Sequence, residues 1–345
     1  MKIYINGPYP CLANWILLRE ENGKTIARDG VFGDEGVLDE KQKHYLLQLD
    51  GKHDPHDPLQ IEGFSEEECQ EYFRYFFENG YIRYGRKLPL KSGGFMYSLV
   101  VPKKKNTKSV VPRVFNILLM LLSVPIFLLG LYRMIFLEYV VSDQYFMLGA
   151  LVGILIATII HEMAHAIACV AYGGNFFEGG ILWSGTLLPS GYVLTDTASI
   201  KEPLQNAQID LAGIEMNFLL SGILYCLVSS ITSVGDFLYP LSGAMVFTAF
   251  VNMVGALFNI TFVEGIDGEH ALSHLILGNG KKTIAERAKN DLRFLRSRKN
   301  RRKFYMLTGI NGFGYMMIFI FIFAYQAISP LVAIVSILLV LEMFL

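Results

Sequence analysis

The stretch IATIIHEMAHAIACVAYGG, residues 156–174, decides how the rest of the chain is read. It is almost wholly apolar, yet it carries His161, Glu162 and His165 in the spacing HExxH. Residues four apart share one face of a helix, so both imidazoles can offer a ring nitrogen to a single tetrahedral metal at about 2.0–2.1 Å. Glu162, next in sequence to one of them, can reach a water on that metal and take its proton. Ionisable side chains inside an apolar span are costly unless they are paired or functional. The stretch therefore predicts a membrane helix built around a metal centre, with His161 and His165 as ligands and Glu162 as general base.

The composition around it agrees. Of 345 residues 52% are hydrophobic and 18% charged, with a mean hydropathy of +0.38, where a soluble globular protein carries roughly 25% charged residues. The formal net charge of −1 gives no field that would attract nucleic acid. Apolar segments near 114–137, 145–171, 209–231, 237–262, 304–328 and 330–345 are each read as a membrane span, which takes roughly 20 helical residues. The basic residues are clustered: 5 of the 30 lie between Lys103 and Arg113, and 11 between Lys281 and Lys303. Loops rich in Lys and Arg stay cytoplasmic. Six spans then put the N-terminal region, the 281–303 cluster and the C-terminus inside, and leave the loops around 138–143 and 232–236, free of Lys and Arg, outside. The 281–303 cluster reads as a segment lying on anionic lipid. Residues 1–15 lack a basic region followed by an apolar core, so no cleavable signal peptide is expected. The four Cys stand far apart with no CxxC pair, which argues against a disulfide framework or a thiolate-ligated metal, and Cys169, on the stripe of the two His, reads as packing.

A catalytic tetrahedral metal usually has three protein ligands and one open position. Asp267, in FNITFVEGIDGEHAL (258–272), falls just beyond the fourth span and at the same cytoplasmic end as His161 and His165. It is the preferred third ligand, with Glu264, Glu269, His270 and His274 as competitors.

With these residues in place, the region 145–280 resembles the site-2 protease family of zinc intramembrane metalloproteases. In that family an HExxH helix pairs with a later NxxPxPxxDG segment. Asn259 and Asp267-Gly268 stand at the matching spacing here, and His270 follows as in the frequent form DGGH. LAGIEMNFLL (211–220) matches the family's AGPxxNxxL at Ala212, Gly213 and Asn217. The resemblance implies one zinc per chain on His161, His165 and Asp267, with Glu162 as base, and with Asn217, Asn259, Gly268 and His270 positioning substrate or supporting the ligands. Phe262, Glu264 and Ile214 stand where the family has proline, and Glu215 is an additional acid in the third span that could pair or line a water path. The segment GGNFFEGGILWSGTLLPSGYVLTDT (173–197) lies where the family forms membrane-associated strands that pair with an unwound substrate. Trp183 and Tyr192 within it are candidate interfacial anchors.

Residues 1–101 read as a separate soluble α+β domain, followed by the basic linker 102–113 and a membrane domain from 114 to 345. LDEKQKHYLLQLDG (38–51) has helical spacing, and SEEECQEYFRYFFENG (65–80) opens on the capping box Ser65–Glu68 and ends at Gly80. YIRYGRKLPL and GGFMYSLVV then read as a β-hairpin, an order that suggests a winged helix. His53 and His56, in DGKHDPHDP, belong to a solvated turn. The order also looks like the PqqD-related recognition elements that hold the leader of a ribosomally made peptide by strand addition. The fold expected is thus mainly α: a polytopic bundle of about six spans with an N-terminal winged-helix-like domain. The function expected is a zinc membrane metalloprotease maturing such a peptide, in a bacterial cytoplasmic membrane. Regulated cleavage of a transmembrane regulator, or a non-enzymatic metal-containing binding or immunity protein, are the alternatives.

Overall fold

The structure is a computed structural model. It describes residues 7–21, 23–30, 35–89, 95–101, 110–142, 144–183, 190–260 and 266–277. The chain divides into two compact units, one of residues 1–106 and 174–199, the other of 107–173 and 200–345.

The first unit begins with the short strand β1 (Cys11–Leu12) and a three-stranded antiparallel meander of β2 (Ile16–Glu21), β3 (Lys24–Asp29) and β4 (Glu35–Leu38). Two helices follow, α1 (Glu40–Gln48) and α2 (Glu66–Glu78). Each opens on a full capping box, Asp39 with Gln42 and Ser65 with Glu68, which satisfies backbone donors that a helix start leaves free. Gly51 and Gly80 take φ of +89° and +72° after the helices, a region closed to most side chains. Tyr45 and Leu46 of α1 and Cys69 and Phe76 of α2 are buried together with Ile61 and Phe64. The Tyr45 hydroxyl donates to the Pro55 carbonyl at 2.8 Å, so its one polar atom is satisfied in the core.

β5 (Ile82–Arg83) pairs with β1, and a four-stranded antiparallel sheet runs β6 (Lys87–Pro89), β7 (Phe95–Val100), β8 (Phe176–Trp183) and β9 (Ser190–Thr195). β8, which in chain order falls between two apolar helices, is thus hydrogen-bonded onto β7 of the N-terminal segment, with β9 on its other side. The join is close. A Cβ on Gly180 would lie 1.9 Å from the Tyr97 carbonyl oxygen, and a fully buried ion pair, Arg83 to Glu178, crosses it. Arg83 also donates to Asn14 Oδ1 at 2.7 Å and Ser98 Oγ at 2.9 Å, while the Ser98 and Tyr192 hydroxyls donate to Glu178 at 2.8 and 2.9 Å. Tyr192 is therefore no interfacial anchor: it is only 7% exposed, its hydroxyl is spent on Glu178, and burial raises its pKa. Trp183 is partly exposed, with its ring against Phe95.

The second unit is helical: α3 (Val110–Phe136), α4 (Phe146–Ala171), α5 (Pro203–Val228), α6 (Ser242–Asn259) and α7 (Asp267–Leu277). Four stretches, Val110–Phe136, Val152–Ala171, Pro203–Val228 and Tyr239–Asn259, are long and apolar enough to cross a membrane. They correspond to the first four expected spans, although α5 starts at Pro203, whose fixed φ suits a first helical turn. The two further spans, the 281–303 cluster and Glu264 lie outside the described residues. Small residues let the helices touch backbone to backbone. A Cβ on Gly130 of α3 would come 2.4 Å from the Gly222 carbonyl oxygen of α5. Gly149 and Gly153 of α4 lie against Ala244 and Thr248 of α6, so these two helices run parallel. Their C-terminal ends consequently lie at the same end of the bundle. α5 packs against α3, α4, α6 and α7, which is why its polar residues Asn206, Gln208 and Asn217 are buried.

Candidate metal centre

The site is assembled by α4, α5 and the first residue of α7. His161 and His165 stand one turn apart on α4, 7% and 8% exposed, with ring planes at 80°. Their Nε2 atoms are 3.1 Å apart. Because α6 runs parallel to α4, the chain leaves α6 at the end of the bundle where the two His lie, and Asp267 enters at the start of α7. Its Oδ2 is 2.8 Å from His161 Nε2 and 3.4 Å from His165 Nε2. Burial works against ionisation of Asp267, but the facing His165 and His161 outweigh it and hold the carboxyl well below the ordinary carboxylate range.

These three atoms form the one His/Cys/Asp/Glu group of metal-binding geometry among the described residues. Ligands at about 2.0–2.1 Å on a tetrahedral zinc stand about 3.3 Å from one another. Sides of 2.8, 3.1 and 3.4 Å are close to that triangle, so the donor set fits the ion with small adjustments. The outer nitrogens are held as ligating imidazoles require. His165 Nδ1 donates to the Ile209 carbonyl at 2.7 Å, leaving the Nε2 lone pair available. His161 Nδ1 meets the Asn217 amide at 3.1 Å. For His161 to ligate through Nε2, Nδ1 must carry the proton and Asn217 must turn Oδ1 toward it, and that oxygen is buried without a partner in the present rotamer.

The other residues singled out in the sequence are placed as follows. Glu162 is half-buried on α4 and within electrostatic range of His165. Gly268 is the second residue of α7. The His270 side chain is 46% exposed and lies 3.9 Å from Glu269, outside the triangle. Glu269 is buried and accepts from Ser273 at 2.9 Å, and His274 lies 3.6 Å from Asp210. Asn259 ends α6 and makes no described hydrogen bond to the triangle. Glu215 accepts from Gln208 at 2.8 Å, so it is paired. Two features were missed. Asp210 was visible in principle as an acid within an apolar helix. The Ile209 carbonyl was not, because a backbone group leaves no mark in the sequence.

The second unit thus combines four stretches long and apolar enough to cross a membrane with a two-His, one-Asp group that could hold a metal ion. Residues 149–239 match Peptidase family M50, the site-2 protease family. No curated protein and no solved structure matches the chain. The match covers α4 and α5 with both His and stops short of Asp267. Together with the apolar helices it points to an integral membrane metalloprotease, a family whose metal is zinc.

Proposed function

We propose that the chain is a zinc endopeptidase that cleaves a peptide at the membrane, near its cytoplasmic face. The observation that carries this is the triangle of the buried His161 and His165 and the partly buried Asp267, with Glu162 beside it on α4. Zinc held there would polarise the scissile carbonyl and acidify a water. His161 and His165 would supply neutral imidazole lone pairs, and Asp267 one negative charge. Glu162 would take the proton of the attacking water and deliver it to the leaving amine nitrogen. Asn217 and the Ile209 carbonyl would hold the two rings, and the apolar surroundings would limit access of bulk water. The test is proteolysis of membrane-inserted peptides in proteoliposomes by the wild type and by Glu162→Gln. Cleavage lost in a variant that keeps its metal supports the reading. Cleavage kept at the wild-type rate refutes it.

The substrate class we propose is a ribosomally made peptide precursor whose leader is held by the first unit. Among the described residues, β2 and β4 are the edge strands of one of its sheets and β9 is an edge strand of another, and an edge can take an added strand. On this reading the unit is cytoplasmic and the membrane is that of a bacterium. Full-length protein in nanodiscs, titrated with a labelled leader peptide and with a transmembrane regulator helix, separates this substrate from regulated cleavage of a membrane protein.

A further inference from the structure

α5 presents three residues, each four apart, to the metal centre: Ile209, Gly213 and Asn217. One turn apart on a helix, they form a single stripe. The outer two hold the outer nitrogens of His165 and His161. Between them a Cβ on Gly213 would lie 2.5 Å from His165 Nε2 and 2.6 Å from both Nε2 and Cε1 of His161. These are the two nitrogens that face Asp267. Even the smallest side chain at 213 would therefore press on the ligating atoms, and a ring that yielded would strain its bond to Ile209 or Asn217. Nor can α5 back away at low cost, since Gly222 on the same helix is in backbone contact with α3. Glycine mid-helix is less favourable than alanine, so a space requirement is a physical reason for it here.

We infer that Gly213 is a positioning residue of the metal centre: its missing side chain lets α5 bring both ring-holding groups in while keeping the space before the two Nε2 atoms clear for the ion. This rests on the zinc reading above for its ligand, but the steric part stands on the apoprotein alone. The test uses purified full-length protein. Cobalt is titrated into the metal-free wild type and Gly213→Ala, followed by the visible absorption of the bound ion. In parallel, the thermal midpoint of the apoprotein is measured for Gly213→Ala in the wild-type and in the His161→Ala/His165→Ala backgrounds. The expected result is at least a 10-fold loss of cobalt affinity, the scale at which disturbed ligand support acts. The apoprotein midpoint should fall in the wild-type background and not when both imidazoles are absent. Equal cobalt affinity with an unchanged spectrum would overturn the inference and leave the ligand triangle standing. An equal fall of the midpoint in both backgrounds would also overturn it, by tracing the cost to packing elsewhere. If the wild type takes no cobalt, the zinc reading fails, while the midpoint comparison still decides whether Gly213 is kept clear for the two rings.

Discussion

Replacing Asn217 separates the support of a ligand from the ligand itself. Asn217 is 3% exposed and its amide lies 3.1 Å from His161 Nδ1. Asn217→Ala removes that partner, and Gly255 of the neighbouring α6, which faces the Asn217 amide, brings no side chain to replace it. The lost partner leaves a buried N–H unsatisfied and the ring free to rotate. His165 is untouched, because its partner is the backbone oxygen of Ile209 at 2.7 Å, which no substitution at 217 removes. Losing the outer partner of one metal-bound His typically lowers affinity 10- to 100-fold, about 1.4–2.7 kcal/mol. Asn217→Ala should therefore bind zinc 10- to 100-fold more weakly than the wild type and much more tightly than His161→Ala, which loses the ligand outright. Asn217→Asp, whose carboxylate accepts the Nδ1 proton, should bind at least as well as Asn217→Ala. Competition for zinc against a chelator of known affinity in detergent orders the four proteins. Wild-type affinity in Asn217→Ala, or a weaker Asn217→Asp than Asn217→Ala, would refute the assignment of Asn217 to His161.

Further outcomes follow from the same geometry. Glu162→Gln should keep its zinc while cleavage falls about 10²- to 10⁴-fold, the range for a lost general base; parallel metal analysis and proteolysis check it. Glu178→Ala should destabilise the first unit by about 3–5 kcal/mol, because it leaves the Arg83 charge buried and unpaired, and thermal unfolding followed by limited proteolysis reads the shift. A fragment of residues 1–101 alone lacks β8, β9 and Glu178 and should be less protected from protease than the same residues in the full chain. Burial pushes the Cys11 thiol up to about 11, with Asp50 adding to it against Arg83, so at pH 8 it should resist alkylation until the unit unfolds; mass spectrometry of labelled peptides tests this.

Much of the centre could be read from the sequence, because its chemistry is written in local spacing. The HExxH pattern places two imidazoles on one turn of a helix without any knowledge of the fold. The four-residue spacing of Gly213 and Asn217 was visible as part of a motif, but their distances to the rings depend on how closely α5 meets α4, and that is set by glycine contacts across several helices. The capping boxes of α1 and α2 and the glycines after them are equally local, and those helices stand within two or three residues of where the pattern put them. The pairing of β8 with β7 was not legible. It joins Phe95–Val100 to residues some eighty positions away, and alternation within a strand says nothing of its neighbour. The same holds for Arg83 and Glu178, ordinary charged residues until a sheet buries them together. Tyr192 illustrates the cost: its amphipathic character suits a membrane interface and a buried hydrogen bond equally well, and only the fold decides.

In the proposed function His161, His165 and Asp267 hold one catalytic zinc. This is tested most directly by the metal content of purified full-length protein, wild type beside His161→Ala and Asp267→Ala. The wild type should hold about one zinc per chain, and both variants should lose it after the same dialysis. Zinc kept by Asp267→Ala at wild-type affinity, or no zinc in the wild type after loading, would contradict it.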